Sequence, residues 1–363
     1  MKQTILHQKH LQLKAKMTEF QGWQIPLQFS DVLDEYHAVR AAAGLFDIGY
    51  LGRIEVSGAG ALALLQNIVT NNVGKITEGA AHYGLICNET GGILDDALVF
   101  RLSDGPSGRR YLLSTNAVNT EKIFLWLKQH APADVLITDN TSALAHLALQ
   151  GPQSALLLEQ LAGQHVKKIK LRATREVMIA DAVVLVTRTG YTGEQGYEFL
   201  VPADRAVALW DAIMAAGEKS GVLPCGLSCR DTLRLEMGYR LYGSDIDETL
   251  TPLEAGLTQF VDFKKEFIGK AALLKRRAEG AREKLAGFVL LDKGIPRSGG
   301  SIFSENREIG VVTSGGQSPH LRKGIGLGYV ISRYAQAGQE IEIEVRDREI
   351  AAKIVDLPFY RKK

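Results

Sequence analysis

The sequence predicts an α+β fold over residues 1–280, followed by a separate β-barrel-like domain over residues 285–363. Two observations predict it. The first part mixes short strands with amphipathic helices, whereas the part after Lys284 is rich in strands and alternates strictly between polar and apolar residues at Gln339–Val345. A chain of this length holds about two to three domains. A parallel doubly wound sheet would contradict the prediction.

The elements of the first half follow from local patterns. Arg53–Val56 and Arg110–Ser114 are expected to be strands, and Asn119–Lys128 is expected to be a helix capped by Asn119. Two strands on either side of a glycine-rich turn, Ala182–Arg188 and Tyr197–Val201, predict a β-hairpin.

Helices are expected after this hairpin. The first has apolar residues at helical spacing, which places Val207, Leu209, Trp210, Ile213 and Met214 on its inner side. Ser228–Asp231 has the Ser-x-x-acid form of a helix start, with Arg230 in the first turn. The charged stretch Lys270–Lys284 is expected to be a connecting helix.

Composition excludes several classes of function. A net charge of +2 gives no reason to expect nucleic acid or an anionic membrane as the main partner. No apolar run has the length of a signal peptide core or a membrane span. Cys87, Cys225 and Cys229 form no Cys-x-x-Cys pair, and the histidines show no metal-ligand spacing, so we expect no metal site and a cytoplasmic location. Phosphate-loop and complete dinucleotide-binding motifs are absent.

Two adjacent carboxylates, Asp95 and Asp96, lie inside an apolar stretch that is typical of a strand. Successive residues of a strand point to opposite faces, so Asp96 is in line with Leu94 and Leu98 and Asp95 with Ile93. An ionised carboxylate in an apolar row is costly unless a partner or ligand meets it. The doublet is therefore either a candidate site or simply the start of a strand, with both acids in solvent.

A second candidate site combines Glu198 and Arg230. Glu198 lies on the return strand of the predicted hairpin, where its carboxylate can accept two parallel N–H bonds from an arginine or from the amino-pyrimidinone edge of a pterin. The alternative is a buried salt bridge of Glu198 to Arg230 or Arg234. These two arginines are one helical turn apart, so either acids such as Asp231 neutralise them or an anionic group binds there.

Taken together, these motifs resemble the T-protein family of the glycine cleavage system, the folate-dependent aminomethyltransferases. The resemblance covers nearly the whole chain. Its marks are Met17–Pro26, Gly44–Asp47, Asn88–Asp96, Gln150–Pro152, Arg188–Glu194, Gly226–Asp231, Arg234–Glu236, Phe267–Lys270, Thr313–Pro319 and Pro358–Arg361.

The resemblance implies a cloverleaf of three domains around a central channel for tetrahydrofolate, with residues 1–280 forming two interleaved α+β lobes. It implies transfer of a methylene carbon from the aminomethyl-lipoyl arm of H-protein to tetrahydrofolate, which yields 5,10-methylenetetrahydrofolate, ammonia and the reduced arm. It assigns the catalytic carboxylate to Asp96. It assigns folate binding to Tyr83, Glu198, Arg230, Tyr191, Tyr239 and Tyr360.

One segment departs from the family pattern. The family usually continues Gly-Leu-Phe-Asp with Val-Ser-His-Met, whereas this chain has Ile48-Gly-Tyr-Leu51, so local contacts or substrate preference can differ here. A folate-dependent demethylase of the same fold therefore remains an alternative. A second alternative is the non-catalytic folate-binding relative linked to iron–sulfur assembly. Its Lys-Gly-Cys-Tyr signature is missing, because the comparable turn is Arg188-Thr-Gly-Tyr191.

Overall fold

The computed structural model describes residues 1–163, 166 and 168–362 of the chain. These fall into two compact units. Unit 1 comprises Met1–Gly84 and Asp95–Arg230, and unit 2 comprises Leu85–Leu94 and Asp231–Lys363, of which Lys363 lies outside the described residues.

Unit 1 contains a small sheet and a six-stranded sheet. The small sheet has the order β1-β3-β2, with β1 at Lys2–Gln3, β2 at Lys16–Phe20 and β3 at Trp23–Gln28. The strands of the larger sheet are β4 (Gly44–Asp47), β10 (Leu144–Gln150), β11 (Thr174–Ile179), β12 (Ala182–Thr187), β13 (Gly196–Pro202) and β14 (Leu223–Pro224). Their order is β11-β12-β13-β10-β4-β14, and the antiparallel pair β12 and β13 confirms the predicted hairpin.

A five-stranded sheet is formed by the part of the chain between β4 and β10. Its strands are β5 (Gly52–Gly58), β6 (Ala80–Cys87), β7 (Ile93–Gly105), β8 (Gly108–Thr115) and β9 (Val135–Asp139), in the order β6-β7-β8-β5-β9. The strands predicted at Arg53–Val56 and Arg110–Ser114 are confirmed as β5 and β8, which pair antiparallel. The two larger sheets are therefore interleaved in sequence.

Helices accompany these sheets. They are α1 (His7–Gln12), α2 (Val32–Ala41), α3 (Ala61–Ile68), α4 (Thr120–His130), α5 (Ser154–Ala162), α6 (Ala206–Gly217) and α7 (Leu227–Glu236). Two predicted helix starts need correction. Asn119 precedes α4 but makes no side-chain cap, and α7 begins one residue before Ser228. Arg230 nevertheless lies in the first turn of α7, as predicted.

The core of unit 1 packs α5 and α6 against the six-stranded sheet. Leu209, Trp210 and Ile213 are fully buried on the inner side of α6, as their helical spacing predicts. Val207 was expected beside them, but it is 45% exposed, so that part of the prediction is wrong. This apolar layer packs against β10 and β13, the strands that carry His146 and Glu198.

Unit 2 contains a closed six-stranded barrel. Its strands are β15 (Glu283–Leu290), β16 (Ser301–Ser304), β17 (Arg307–Ser318), β18 (Lys323–Ile331), β19 (Glu340–Glu344) and β20 (Glu349–Val355), closed in the order β15-β18-β17-β16-β19-β20. The preceding helix α8 spans Lys270–Glu279, shorter than predicted because Gly280 ends it. The predicted α+β class with a C-terminal barrel is confirmed. Within the described residues, no helix is long and apolar enough to span a bilayer.

A buried carboxylate fixes the chain just before α7. Glu35 is fully buried and accepts backbone N–H bonds from Phe29 at 2.6 Å, Ser30 at 3.0 Å and Gly226 at 2.8 Å. Gly226 itself packs so closely that a Cβ there would lie 2.3 Å from the carbonyl oxygen of Leu27. These contacts join β3, α2 and the start of α7, and they set the position from which Arg230 projects.

We expect Glu35→Ala to lower the free energy of unfolding by about 2–3 kcal/mol, because the buried N–H of Gly226 and the partly buried N–H groups of Phe29 and Ser30 lose their acceptor, at about 1–3 kcal/mol for a fully buried group. Asp34→Ala is the matched control. Asp34 is an exposed acid on the same helix, so its loss should change stability by less than about 0.5 kcal/mol. Urea unfolding of both variants measures the difference, and equal stabilities would contradict the role of Glu35.

Candidate active site

The two adjacent carboxylates lie near the start of β7 and differ in exposure. Asp95 is 0% exposed and shares its face with the buried Ile93, Ala97 and Val99, whereas Asp96 on the other face is half-buried. The alternating pattern therefore separated them correctly. The alternative of a strand start with both acids in solvent is wrong for Asp95.

Asparagines next to β7 satisfy the buried carboxylate. Asn116 follows β8 and donates from its backbone N–H to Asp95 Oδ2 at 3.1 Å and from its side chain to Asp95 Oδ1 at 2.8 Å. Asn119 donates to the same Oδ1 at 2.7 Å. The side chain expected to cap α4 thus solvates a carboxylate on another strand. The sequence pattern did not reveal this role, because it depends on which strands pair.

Both carboxylate oxygens of Asp96 also accept hydrogen bonds. Oδ1 accepts a hydrogen bond from the Asn116 side chain at 2.7 Å, and Oδ2 accepts one from the hydroxyl of Tyr83 at 2.9 Å. Asn116 therefore bridges the two carboxyl groups. Tyr83, which sequence analysis assigned to folate, contacts the assigned catalytic carboxylate directly.

The pKa of each carboxyl of this pair is raised, chiefly because burial penalises the charged form. For Asp95 the neighbouring charge of Asp96 raises the pKa further, and the N–H bonds from Asn119 and Asn116 oppose the shift only in part. Two negative charges side by side are thus disfavoured. The more accessible Asp96 is the group that can present its charge to a ligand.

Glu198 is the centre of a second cluster, on β13. Its Oε2 accepts a hydrogen bond from the Thr189 hydroxyl at 2.9 Å and lies 3.4 Å from Nε2 of His146 on β10. Burial alone would raise the pKa of Glu198, but the contact with His146, the positive charge of Arg230 and the hydroxyl of Thr189 outweigh it, and the pKa is lowered. Glu198 is therefore an ionised carboxylate in a buried place.

Arg230 and Tyr191 complete this cluster. The guanidinium carbon of Arg230 lies 4.8 Å from the centre of the Tyr191 ring, a cation–π arrangement. Nη1 of Arg230 is buried and has no hydrogen-bond partner among the described residues. A buried unpaired N–H of a charged group is costly, so Nη1 is a candidate donor to a ligand.

The segment that departs from the family pattern also reaches this cluster. Tyr50 is buried, and its hydroxyl interacts with Arg230. The nearby charges of Asp47 and Glu198 raise the pKa of this hydroxyl. Burial raises the pKa of Tyr50, so the phenol is neutral. Arg53, also fully buried, anchors the segment by donating to the carbonyls of Gly49 and Leu51. Sequence analysis singled out this segment but did not predict these contacts.

The remaining predicted site residues, Tyr239 and Tyr360, lie in unit 2. Tyr239 is 36% exposed, and its backbone is fixed by hydrogen bonds with Arg234. The Tyr360 ring packs edge-on against His320 with the ring centres 5.0 Å apart. Arg234 itself pairs with Asp245 at 2.7 Å and with Asp231, so acids neutralise it, one of the two alternatives that the sequence left open.

One group of possible metal ligands occurs in unit 1. Glu35, Cys225 and Cys229 are buried with their ligand atoms within 4.8 Å of one another. The Glu35 carboxylate already accepts three backbone N–H bonds, and burial raises the pKa of the Cys225 thiol. The hydrogen bond from Gly226 to Glu35 places this group at the start of α7.

Two family models match the chain. The GCVT N-terminal domain matches residues 6–265, and the glycine cleavage T-protein C-terminal barrel domain matches residues 283–361. These matches define the class, a protein with a GCVT N-terminal domain followed by a C-terminal barrel domain.

Individual relatives align with this chain over nearly their full length. The aminomethyltransferase of Geobacillus kaustophilus is 44% identical, with 100% of this chain and 99% of the relative aligned. That of Halothermothrix orenii is 46% identical, with 99% and 100% aligned. The crystal structure of glycine cleavage system aminomethyltransferase T from Bartonella henselae superposes with a TM-score of 0.91 at 33% identity, covering 99% of this chain and 98% of that one.

The chain therefore belongs to the glycine cleavage T-protein family, the aminomethyltransferases of the glycine cleavage system. This confirms the resemblance found in the sequence and the enzymatic function it implied. The two alternatives, a demethylase and an iron–sulfur assembly factor, are not favoured by these relatives. The family is folate-dependent in general.

The raised pKa of Asp95 predicts how stability depends on pH. A carboxyl whose pKa is raised in the folded state contributes stability that is fully present below its unfolded pKa and is lost as pH rises through the folded pKa. We therefore expect the wild type to lose stability relative to Asp95→Asn as the pH rises from about 4 toward the raised pKa of about 8, since the amide does not titrate. Guanidinium unfolding at several pH values measures this. A stability difference independent of pH would show that Asp95 titrates normally.

Proposed function

We propose that the Glu198 cluster binds the pterin ring of tetrahydrofolate and that Asp96 is the carboxylate that acts on the transferred carbon. The observation that carries the first part is the buried Nη1 of Arg230, which has no hydrogen-bond partner among the residues that the structure describes, close enough to Glu198 for its charge to lower the pKa of that carboxyl. A pterin has N–H donors and a carbonyl acceptor along one edge. These match a carboxylate and a guanidinium, and the match is charge-assisted. The ring of Tyr191 adds an aromatic surface next to Arg230.

Asp96 is suited to electrostatic stabilisation. Positive charge develops near the transferred carbon as ammonia leaves, and a fixed negative group close to that carbon lowers the barrier. Tyr83 and Asn116 hold both oxygens of Asp96, so the carboxylate needs little reorganisation during the reaction. Its half-buried position strengthens the interaction relative to water.

The aminomethyl group reaches this site, in our proposal, on the lipoyl arm of H-protein. Membership of the glycine cleavage T-protein family supports this partner. We also propose a cytoplasmic location, in keeping with three buried cysteines that form no disulfide.

Glu198→Ala and Arg230→Ala should each weaken tetrahydrofolate binding roughly tenfold or more, since loss of a charge-assisted hydrogen bond costs about 1.5–3 kcal/mol. Isothermal calorimetry measures the affinity. The matched controls are Glu176→Ala and Arg175→Ala, which remove exposed charges from β11 of the same sheet and should leave affinity unchanged. Unaltered binding by both Glu198→Ala and Arg230→Ala would refute the pterin assignment.

Asp96→Asn should lower turnover by about two to three orders of magnitude, as for loss of one preorganised electrostatic group. Folate affinity should change much less, because an interaction that strengthens in the transition state acts on rate. The assay uses aminomethylated H-protein and tetrahydrofolate and follows ammonia and methylenetetrahydrofolate.

Asp95→Asn is the control for this experiment. Asp95 is sealed from solvent, so its replacement should alter stability more than turnover. If Asp95→Asn were inactive while Asp96→Asn kept near-normal turnover, the catalytic assignment would belong to the other carboxylate. Failure of the wild type to form either product from H-protein would remove that partner from the proposal.

A further inference from the structure

His146 lies beside Glu198 through strand pairing. Antiparallel β10 and β13 place Ala148 opposite Glu198 and His146 opposite Leu200, so His146 is two residues along β10 and on the same face of the sheet as Glu198. Its ring is 2% exposed, and its Nε2 lies 3.4 Å from Glu198 Oε2. Such a diagonal neighbour is within reach of a long side chain.

The surroundings of His146 favour one proton arrangement. Burial lowers the pKa of His146, the positive charges of Arg53 and Arg230 lower it further, and Glu198 opposes the shift, so the ring is neutral. Nδ1 is buried and has no hydrogen-bond partner among the described residues. A proton on Nδ1 would leave a buried donor unsatisfied and turn a lone pair toward the carboxylate. The proton therefore belongs on Nε2, where it faces Glu198.

The ring thus becomes a second neutral donor to one oxygen of Glu198. The Thr189 hydroxyl, which is itself 2.7 Å from the hydroxyl of Thr187, is the first. Two donors on Oε2 restrict rotation of the carboxylate and leave Oε1 for a ligand. Because both donors are uncharged, they hold Glu198 without cancelling its negative charge.

We propose that His146 is a positioning residue that orients Glu198 for the N–H groups of the pterin edge and so determines affinity for that edge. This inference rests on the proposed function of Glu198. His146 makes no contact with the reacting carbon in this scheme. Its loss should therefore change the KM for folate rather than kcat.

His146→Leu should raise the KM and Kd for tetrahydrofolate about tenfold, the factor expected for one hydrogen bond to a charged group, while kcat changes less than about twofold. His146→Gln, whose amide can present an N–H to Oε2, should restore most of the affinity. His146→Asn is polar but too short to reach Oε2 and should resemble His146→Leu. The Gln and Asn pair keeps the test decisive if His146→Leu does not fold.

A ligand without the 2-amino group of the pterin separates positioning from general damage. The wild type should prefer tetrahydrofolate over 2-desaminotetrahydrofolate, and His146→Leu or His146→Asn should lose about tenfold of this preference. Equal weakening of both ligands would mean that His146 only maintains the fold and would overturn the inference. So would an unchanged KM in both variants.

Glu198→Ala tells the two possible failures apart. If Glu198→Ala keeps the preference between the ligands, the pterin assignment itself fails. If Glu198→Ala abolishes the preference while His146→Asn retains it, the pterin assignment stands and only the positioning role of His146 is overturned.

Discussion

The site depends on accommodating acidic side chains inside an apolar sheet. A carboxylate buried without partners would take up a proton, because desolvation raises its pKa. Here Asp95 and Asp96 lie in consecutive positions of β7, and the side-chain amide of Asn116 donates to both. This single amide can serve two carboxyls because β7 and β8 pair in a register that ends β8 next to the doublet. The register of the five-stranded sheet is therefore what makes the doublet tolerable.

Buried carboxyl groups elsewhere in unit 1, on strand β13 and helix α2, have other neutral donors. Glu198 is held by a hydroxyl and a neutral imidazole, and Glu35 by backbone N–H groups alone. In each case the groups that touch the carboxylate are uncharged. At Glu198 a salt bridge would have neutralised the negative charge, whereas neutral donors lower the cost of burying it and leave it available to a ligand. At Glu35, where burial raises the pKa, the backbone donors join segments of the chain.

Sequence patterns correctly predicted the features that neighbouring residues determine, such as strand faces and turns. Period-two counting separated Asp95 from Asp96, and turn residues predicted the hairpin that carries Glu198. The alternation after Lys284 predicted the strands of the barrel. Asn119 shows that such patterns do not predict contacts between residues that are distant in sequence. Its position before α4 indicated a cap, yet its amide reaches Asp95, which is remote in sequence. A hydrogen bond from Asn119 stabilises a buried carboxyl group more than it would stabilise a helix end, because water can reach the helix end. Only the tertiary fold brings Asn119 next to Asp95.

His146 and Tyr50 could not have been predicted as neighbours of the site for a related reason. Their neighbours Glu198 and Arg230 come from β13 and α7, far along the chain. The Tyr50 segment departs from the family pattern, yet its backbone is held by Arg53 and by the Asp47 carboxylate, which accepts the N–H of Gly49 at 2.8 Å. Asp47 belongs to the part of the motif that this chain retains. Since the anchors are kept while Tyr50 supplies a neutral hydroxyl next to Arg230, the departure alters the surroundings of a charged pair without changing its charges. The Tyr50 phenol therefore adds no charge beside Arg230.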